Sequence, residues 1–218
     1  MMKIVAIHAG KVNAISKTDG GEWWDKEWKT GFFKEPVGDE IEVTTDGLKG
    51  DEQADLVNHG GPDKAVCVYP AAHYPGWWET LGLAAMPVGA FGENFTVEGV
   101  VEDEVCIGDV FEGGGVVFQI SQPRQPCWKL SHRWKVKDLS AQVVANGRTG
   151  WYLRVIRTGR VSAGTGLRLR DRPHPSWTVM AANGVMHHRR GGAEAAVELA
   201  GCAALSASWR EALLRRII

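Results

Sequence analysis

The chain has 218 residues, of which 44% are apolar and 10 are tryptophan, so it can bury one substantial core and carry a small appendage. The formal net charge is −1 and no long basic run occurs, which argues against binding a nucleic acid polymer through bulk electrostatics. No apolar run reaches membrane-spanning length and the first thirty residues carry no secretory leader pattern, so we expect a cytosolic (cytoplasmic) protein without a membrane partner.

Short apolar segments separated by glycine turns dominate the first two-thirds of the chain. They predict strands at residues 3–9, 12–15, 40–44, 64–69, 95–97, 105–107, 110–112 and 116–121. Residues 151–157 and 161–170 predict an antiparallel pair around a turn at 158–160. Many short strands with glycine turns favour a mainly β fold, either a barrel or a sandwich.

Two helices are predicted between these strands. One covers about residues 71–81, where Pro75-Gly76 should break or delay it and Gly82 should stop it. The other runs from Asp138, a suitable N-cap, to Asn146-Gly147.

The character of the chain changes after residue 172. Residues 173–175 are typical of a linker, and the rest lacks strand alternation. Thr178 and Ser206 are suitable caps for two helices, and residues 193–199 predict a third between them. The expected domains are therefore a mainly β domain at 1–172 and a small helical extension at 173–218.

A cysteine with two prolines and an arginine before it is the most informative local feature. Pro123 and Pro126 predict a stiff loop, and Arg124 favours the thiolate form of Cys127. A thiolate is both a nucleophile and a soft metal ligand, whereas an isolated cysteine is more often a small buried apolar residue. The other cysteines are too scattered for a zinc site.

Three further clusters contain residues suited to binding an anion. Gly60-Gly61 could present amide groups, with His59 as a donor and Lys64 as a point charge. Glu93 and Asn94, between a glycine and a phenylalanine, could be buried acceptors and donors that line a pocket, and Arg148 in a glycine loop could bind phosphate. Each cluster taken alone is explained equally well as an ordinary loop or turn.

Five motifs in one order make these clusters specific. They are GLKGDEQADLVNHGGPDKAVCVYP, VGAFGENF, IGDVF, QISQPRQPCWKL and NGRTGWYLRV, and they span roughly residues 38–170. In this order the chain resembles the MOSC family (molybdenum cofactor sulfurase C-terminal domains), most closely its bacterial 6-hydroxylaminopurine-resistance branch. The final 46 residues resemble the three-helix extension of that branch.

The resemblance implies a β-barrel like that of pyruvate kinase, holding a molybdopterin-type molybdenum cofactor. It assigns Cys127 as the molybdenum ligand and catalytic residue. It assigns cofactor binding to His59, Lys64, Asn94, Arg124 and Arg148. Cys67 is expected to be a core residue instead, because it lies within an apolar strand pattern.

The resemblance also implies a reductase of N-hydroxylated compounds, including base analogues such as 6-hydroxylaminopurine. The sequence carries no fingerprint for nicotinamide, flavin or an iron–sulfur cluster, so a separate flavoprotein or haem protein is expected to donate electrons. Trp128 and Tyr152 could stack on a flat heterocycle, with core packing as the alternative for both.

Two other functions stay open. The chain could be a cofactor carrier or sulfur-transfer protein in which Cys127 bears a persulfide. It could also bind a different anionic ligand, although no lysine lies in a context that suggests a Schiff base with pyridoxal phosphate.

Overall fold

The computed structural model describes residues 1–82 and 86–217. The strands are β1 (Met2–Ala9), β2 (Asn13–Ile15), β3 (Trp28–Thr30), β4 (Glu35–Pro36), β5 (Ile41–Thr44), β6 (Gly47–Leu48), β7 (Val66–Pro70), β8 (Phe95–Glu98), β9 (Val110–Gly113), β10 (Val116–Pro123), β11 (Trp151–Arg157), β12 (Gly159–Val161) and β13 (Gly166–Asp171). The α-helices are α1 (Tyr74–Leu81), α2 (Trp128–Trp134), α3 (Leu139–Asn146), α4 (Val179–His188), α5 (Gly192–Ala200) and α6 (Ala207–Leu214). Short 3-10 turns cover Pro62–Lys64 and Ala71–His73.

Seven strands close into a barrel in the order β1, β8, β7, β11, β10, β9 and β13, because β13 returns to pair with β1. Neighbouring barrel strands are antiparallel except β7 and β8, which run parallel. Phe95 and Phe118 meet edge to face in the buried core, with ring centroids 5.8 Å apart. The prediction of a mainly β barrel with a few helices is therefore confirmed.

Six of the described strands lie outside the barrel. Strands β2 and β3 form a separate ribbon, whereas β5 pairs with β6 and β12 in a small three-stranded sheet. Strand β4 adds to the end of β1 through the pair His8 and Pro36. These additions explain why short segments such as Trp28–Thr30 form strands that the sequence pattern did not predict.

The predicted pair between residues 151–157 and 161–170 is wrong. Strand β11 is bonded on one side to β10 and on the other to β7, so no free edge remains for β13. Strand β13 bonds instead to β9 and β1, which closes the barrel. Two residues of the predicted turn, Gly159 and Arg160, belong instead to β12, which lies outside the barrel and pairs with β5.

The predicted strand at residues 105–107 is also wrong. This segment forms only an isolated bridge between Cys106 and Thr178. The backbone N–H of Cys106 donates to Asp109 Oδ2 at 2.9 Å, so a side chain satisfies a group that a strand partner would otherwise satisfy. The segment is thus a buried turn beneath the C-terminal helices.

The two internal helices occur where the sequence predicts them. A 3-10 turn precedes α1, and Pro75 lies in its first turn, where the missing N–H costs no helical hydrogen bond. Helix α3 begins after Asp138 and ends at Gly147, which adopts a left-handed φ of 73°. The proline therefore delays α1 rather than preventing it.

The C-terminal helices pack directly on the barrel. The side chains of Thr178 and Ser206 cap α4 and α6 by accepting from the N–H groups of Ala181 and Trp209. Trp209 is buried within the same apolar cluster as the barrel core, and the Ser206 N–H donates to the Ser121 carbonyl at 2.9 Å. Within residues 1–82 and 86–217, no helix is both long and apolar enough to cross a membrane.

Candidate functional site

An open cleft of about 570 Å³ lies at the end of strands β7, β10 and β11. Its walls come from residues 30–34, the loop at 51–59, Lys64 and Cys67, the 92–94 turn, and the segment that follows β10. The structure brings together five of the residues predicted from sequence, namely His59, Lys64, Asn94, Arg124 and Cys127.

Cys127 contributes the accessible thiol of this cleft. It lies in extended conformation immediately before α2 and is half-buried. Its carbonyl oxygen accepts from Ser140 Oγ at 2.7 Å and from the N–H of Leu130 at 3.1 Å. Strand β10 continues through Pro123, so the stiff loop predicted from the prolines is shorter than expected and ends at the helix. The backbone that carries the thiol is therefore held on both sides.

Arg124 supplies a buried cation next to the thiol. The residue is 6% exposed, and its backbone N–H donates to the Gly150 carbonyl. Its Nη2 donates to the Phe91 carbonyl at 2.6 Å, whereas Nη1 is buried and has no partner among the described residues. A permanent cation with an unfilled donor is costly to bury unless a ligand supplies an acceptor. This arrangement suits an anionic ligand.

His59 and Lys64 lie at another part of the same cleft. Burial and the positive charge of Arg124 lower the pKa of His59 to about 4, so its ring is neutral at pH 7. Burial also lowers the pKa of Lys64, while Asp63 and Asp55 act in the opposite direction. His59 can thus serve as a neutral hydrogen-bonding group, with the nearby positive charge carried by arginine and lysine.

Asn94 has a framework role in the cleft. Its Oδ1 accepts from the N–H of Cys67 at 3.0 Å, and its Nδ2 donates to the His8 carbonyl and to Asp51 Oδ2. Asp51 also forms a buried ion pair with Lys34. These contacts join the turn before β8 to β1, to β7 and to the loop after β6. They use both ends of the Asn94 amide within the protein itself.

Asp51 and Lys34 were missed as lining residues by sequence reasoning. Asp51 stands in the first family motif, but nothing in the motif indicates a buried ion pair. Lys34 lies in a segment without any strand or motif pattern. The ion pair depends on a contact between segments 17 residues apart, so only the folded chain reveals it.

Cys67 and Tyr152 form the buried floor of the cleft. They are cross-strand partners on β7 and β11, and both line the cavity. Burial raises the pKa of Cys67 to about 11 and raises that of Tyr152, so both keep their protons at pH 7. Cys67 lies in the buried strand that the sequence predicts, and it also faces the cavity.

Glu93 organises the turn that carries the acceptor for Arg124. The carboxylate is fully buried and accepts from the Tyr74 hydroxyl at 2.5 Å, the Thr96 hydroxyl at 2.7 Å and the N–H groups of Gly89 and Phe91. The turn also brings Gly92 so close to the Phe32 ring that a Cβ would lie 2.9 Å from it. Glu93 therefore determines where the backbone of this turn lies.

Arg148 does not line the cleft. Its Nη1 lies beside Gly76 in α1, where a Cβ would approach it to 2.9 Å, and its backbone carbonyl accepts from the Tyr69 hydroxyl. The Tyr69 hydrogen bond fixes the backbone of this glycine loop, and the absence of a side chain at Gly76 leaves room for the guanidinium beside α1. We therefore leave Arg148 out of the site.

Comparison with known proteins gives matches across nearly the whole chain. Residues 55–168 match the model of the MOSC domain, and residues 177–217 match that of a YiiM-like, 3-alpha helix domain. Uncharacterized protein YflK of Bacillus subtilis (strain 168) is 43% identical over 213 residues, which cover 98% of this chain and 93% of that protein. The crystal structure of YiiM from Geobacillus stearothermophilus gives a TM-score of 0.83 at 34% identity and covers 100% of both chains.

A further relative bears the name reductase. This protein from Gibberella moniliformis is 34% identical over 171 residues, which cover 75% of this chain and 29% of that protein. The similarity thus extends to one part of a much longer protein.

Proposed function

The chain belongs to the MOSC domain family, and from this premise we propose that it is a molybdenum-cofactor-dependent reductase of N-hydroxylated compounds, with base analogues such as 6-hydroxylaminopurine among its substrates. The observation that carries the proposal is the buried Nη1 of Arg124, which has no acceptor within residues 1–82 and 86–217 and lies in the same cleft as the half-buried thiol of Cys127. The relative named reductase supports an oxidoreductase rather than a purely structural role.

The donor set of the cleft fits a molybdopterin-type cofactor. Cys127 would hold the metal, since a soft thiolate suits molybdenum already bound by sulfur. Arg124 and Lys64 would hold the anionic part of the cofactor, and Nη1 of Arg124, which bonds to none of the residues that the structure describes, would donate to it. Neutral His59 would donate or accept one hydrogen bond, and Asn94 would keep the cleft open by joining its walls.

The net reaction is R–NHOH plus two electrons and two protons, giving R–NH2 and water. When bound, the cofactor supplies the two-electron redox chemistry. The protein would orient the substrate, and burial keeps Tyr152 Oη and Cys67 Sγ protonated and therefore uncharged on the cleft floor. Their burial also limits the water that reaches this floor.

The electrons are proposed to come from a separate flavoprotein or haem protein in the cytosol. The five motifs and the segments between them contain no nicotinamide, flavin or iron–sulfur fingerprint. The oxidised centre would therefore be reduced by a partner after each turnover.

Metal analysis of protein made in a cofactor-competent host tests the proposal. We expect wild type to contain molybdenum and reduce 6-hydroxylaminopurine with a competent donor, and Cys127→Ser to lose most of both. Cys202→Ser is the matched control, because Cys202 is a buried thiol of the helical part outside the cleft. Equal molybdenum in wild type and Cys127→Ser would overturn the ligand assignment. Molybdenum-containing wild-type protein that leaves N-hydroxylated bases unreduced would overturn the proposed activity.

A cofactor carrier or sulfur-transfer protein is the second candidate. It is favoured by one observation, namely that the Cys127 thiol is accessible and lies near a buried cation that would stabilise a persulfide anion. Mass spectrometry of the protein as isolated distinguishes the transfer function from the reductase function. A persulfide on Cys127 supports transfer, and an unmodified thiol in molybdenum-containing protein supports reduction.

A further inference from the structure

A short turn beside the cleft is in contact with both the barrel and the helical extension. The 3-10 turn Pro62–Lys64 lies between the loop that carries His59 and strand β7, and its last residue, Lys64, lines the cleft. Asp63, the middle residue of the turn, contacts the barrel and the start of α6. The residue that lines the cleft and the residue that meets the extension are therefore neighbours in one turn.

An arginine of the barrel holds the Asp63 carboxylate. Arg154 on β11 donates from Nε to Asp63 Oδ1 at 2.8 Å, and its Nη2 donates to the same oxygen. Its Nη1 donates to Gln119 Oε1 at 2.7 Å, so the arginine is itself fixed on the barrel. The side chains of Arg154 and Asp63 are only 23% and 30% exposed. Charge-assisted hydrogen bonds of this kind restrain the backbone that carries the carboxylate.

The start of α6 supplies the other partners of this turn. The N–H of Ala207, the first residue of α6, donates to Asp63 Oδ2 at 3.3 Å. The Asp63 carbonyl oxygen accepts from Ser121 Oγ, and the Ser121 carbonyl oxygen accepts from the N–H of Ser206 at 2.9 Å. A carboxylate is also favoured beside the first turn of a helix, where N–H groups lack helical partners. The extension thus reaches the turn directly through Ala207 and indirectly through Ser121.

Lys64 depends on this turn for its place in the wall of the cleft. Its N–H donates to the Gly61 carbonyl at 2.9 Å, and β7 begins two residues later at Val66. On the other side the turn follows Gly60 and Gly61, and Gly61 adopts a left-handed φ of 88°. Glycine backbone has a wide range of accessible conformations and restrains its neighbours weakly. The contacts of Asp63 are therefore the restraint that holds the turn from this side.

We propose that Asp63 is a positioning residue through which the C-terminal extension fixes Lys64, so that the extension sets how tightly the cleft holds its anionic ligand. This inference rests on the proposed function, in which Lys64 and Arg124 share the anionic part of the cofactor. It gives the helical extension a part in ligand binding, although none of its described residues, 173–217, lines the cleft.

Charge and position make opposite predictions for the pair of Asp63 and Arg154. Asp63→Asn removes a negative charge next to Lys64, so electrostatics alone would tighten the binding of an anion, whereas Arg154→Gln removes a positive charge and would weaken it. If the pair acts by positioning, both substitutions release the turn and both weaken the binding. The two variants together therefore distinguish positioning from charge.

Calorimetric titration of inorganic pyrophosphate into the full-length chain, made in a host that lacks the cofactor, tests the inference. We expect Lys64→Gln to weaken pyrophosphate binding about tenfold, and Asp63→Asn and Arg154→Gln to weaken it about fivefold each. Because Asp63 acts through Lys64, adding Asp63→Asn to Lys64→Gln should change the dissociation constant by less than about twofold. An effect of Asp63 that is independent of Lys64 would instead add in the double variant.

Two helix caps test the contribution of the extension. Ser206→Ala removes the cap of α6, whose first residue contacts Asp63, and should weaken pyrophosphate binding about threefold. Thr178→Ala is the matched control, because it removes the cap of α4, whose start bridges to Cys106 and not to the turn. This control should bind pyrophosphate as wild type does. Ser206→Ala and Arg154→Gln also carry the test if Asp63→Asn does not fold.

Four results would overturn the inference. Unchanged or tighter binding by Asp63→Asn would show that the residue does not position the turn. Additive losses in the double variant would show that it does not act through Lys64. Equal effects of Ser206→Ala and Thr178→Ala would remove the role of α6. Wild type that binds pyrophosphate no better than Lys64→Gln would show that Lys64 holds no anion.

The inference and the proposed function fail in different ways. Protein that shows this coupling with pyrophosphate but contains no molybdenum contradicts the proposed function and leaves Asp63 as a positioning residue for another anion. Protein that contains molybdenum and reduces N-hydroxylated bases, but whose Asp63→Asn variant keeps wild-type affinity for pyrophosphate, supports the proposed function and contradicts the inference.

Discussion

Arg124 donates from Nη2 to the carbonyl oxygen of Phe91 at 2.6 Å, and this one hydrogen bond orients the guanidinium in the cleft. Phe91 is itself held, because its ring stacks on Tyr69 with centroids 4.1 Å apart. The second terminal nitrogen, Nη1, finds no acceptor within the described part of the chain. Half of the guanidinium fork therefore positions the group, and the other half is free to bind a ligand.

The first prediction concerns the two terminal nitrogens of the Arg124 guanidinium. Arg124→Lys keeps the charge but cannot bond Phe91 and a ligand in the same planar geometry, so we expect cofactor retention to weaken about tenfold. Molybdenum per protein after extensive dialysis measures the effect. Arg148→Lys is the control, because Arg148 lies beside α1 outside the cleft. Equal loss in both variants would contradict the role of Arg124.

The second prediction concerns Glu93, which holds the turn that carries the Phe91 carbonyl. Glu93→Gln replaces one of two accepting oxygens by an NH2 group, which cannot accept from the N–H groups or hydroxyls that now converge there. We expect the free energy of unfolding to fall by about 2 kcal/mol. Urea denaturation measures it. Glu98→Gln, whose carboxylate pairs with Lys3 at the surface, should change stability by less than about 0.5 kcal/mol.

The third prediction is a pH dependence of stability. The pKa of His59 is about 4 in the folded protein and near 6.5 when the chain is unfolded, so the unfolded state binds the extra proton as the pH falls between these values. Stability contributed by neutral His59 is present above pH 6.5 and is lost toward pH 4.

We expect His59→Gln to remove about 1 kcal/mol of the stability difference between pH 7 and pH 5, allowing for the partial exposure of the ring. Urea denaturation at the two pH values gives the difference. His188→Gln, on the exposed end of α4, controls for the loss of one imidazole. An unchanged slope in His59→Gln would show that the ring is protonated normally.

The fourth prediction concerns the start of the C-terminal extension. Arg172 donates to both carboxylate oxygens of buried Asp109, at 2.9 and 2.7 Å, and Asp109 also accepts from Cys106. Asp109→Asn should lower the free energy of unfolding by about 2 kcal/mol and speed limited proteolysis near residues 172–178. Glu40→Gln removes only an exposed partner of Arg160 and should leave both measurements near wild type.

Local signals in the sequence were sufficient for most helices and barrel strands. The alternation in β10, the caps Thr178 and Ser206, and the stop at Gly147 act within a few residues, so the sequence predicts them directly. Strand partners depend on long-range closure, which is why the predicted pairing of residues 151–157 with 161–170 was wrong.

The motifs also identified most of the residues in the cleft, but they did not distinguish between positions within a motif. Arg124 and Arg148 both follow glycine or proline signals, yet only the first lines the cavity. Trp128 and Tyr152 were equivalent in sequence, and burial separates them.

The family, the barrel class, the helical extension and the thiol at position 127 could all be predicted before any coordinates were known, because they depend on local chemistry and on an ordered set of motifs. Three features of the cleft emerge only in the folded chain: the choice of cations that face it, the lack of an acceptor for Arg124 Nη1 among the described residues, and the ion pair of Lys34 with Asp51 in its wall. They could not be predicted locally, because the burial and the partners of a side chain are set by segments that are separated in sequence and meet only on folding.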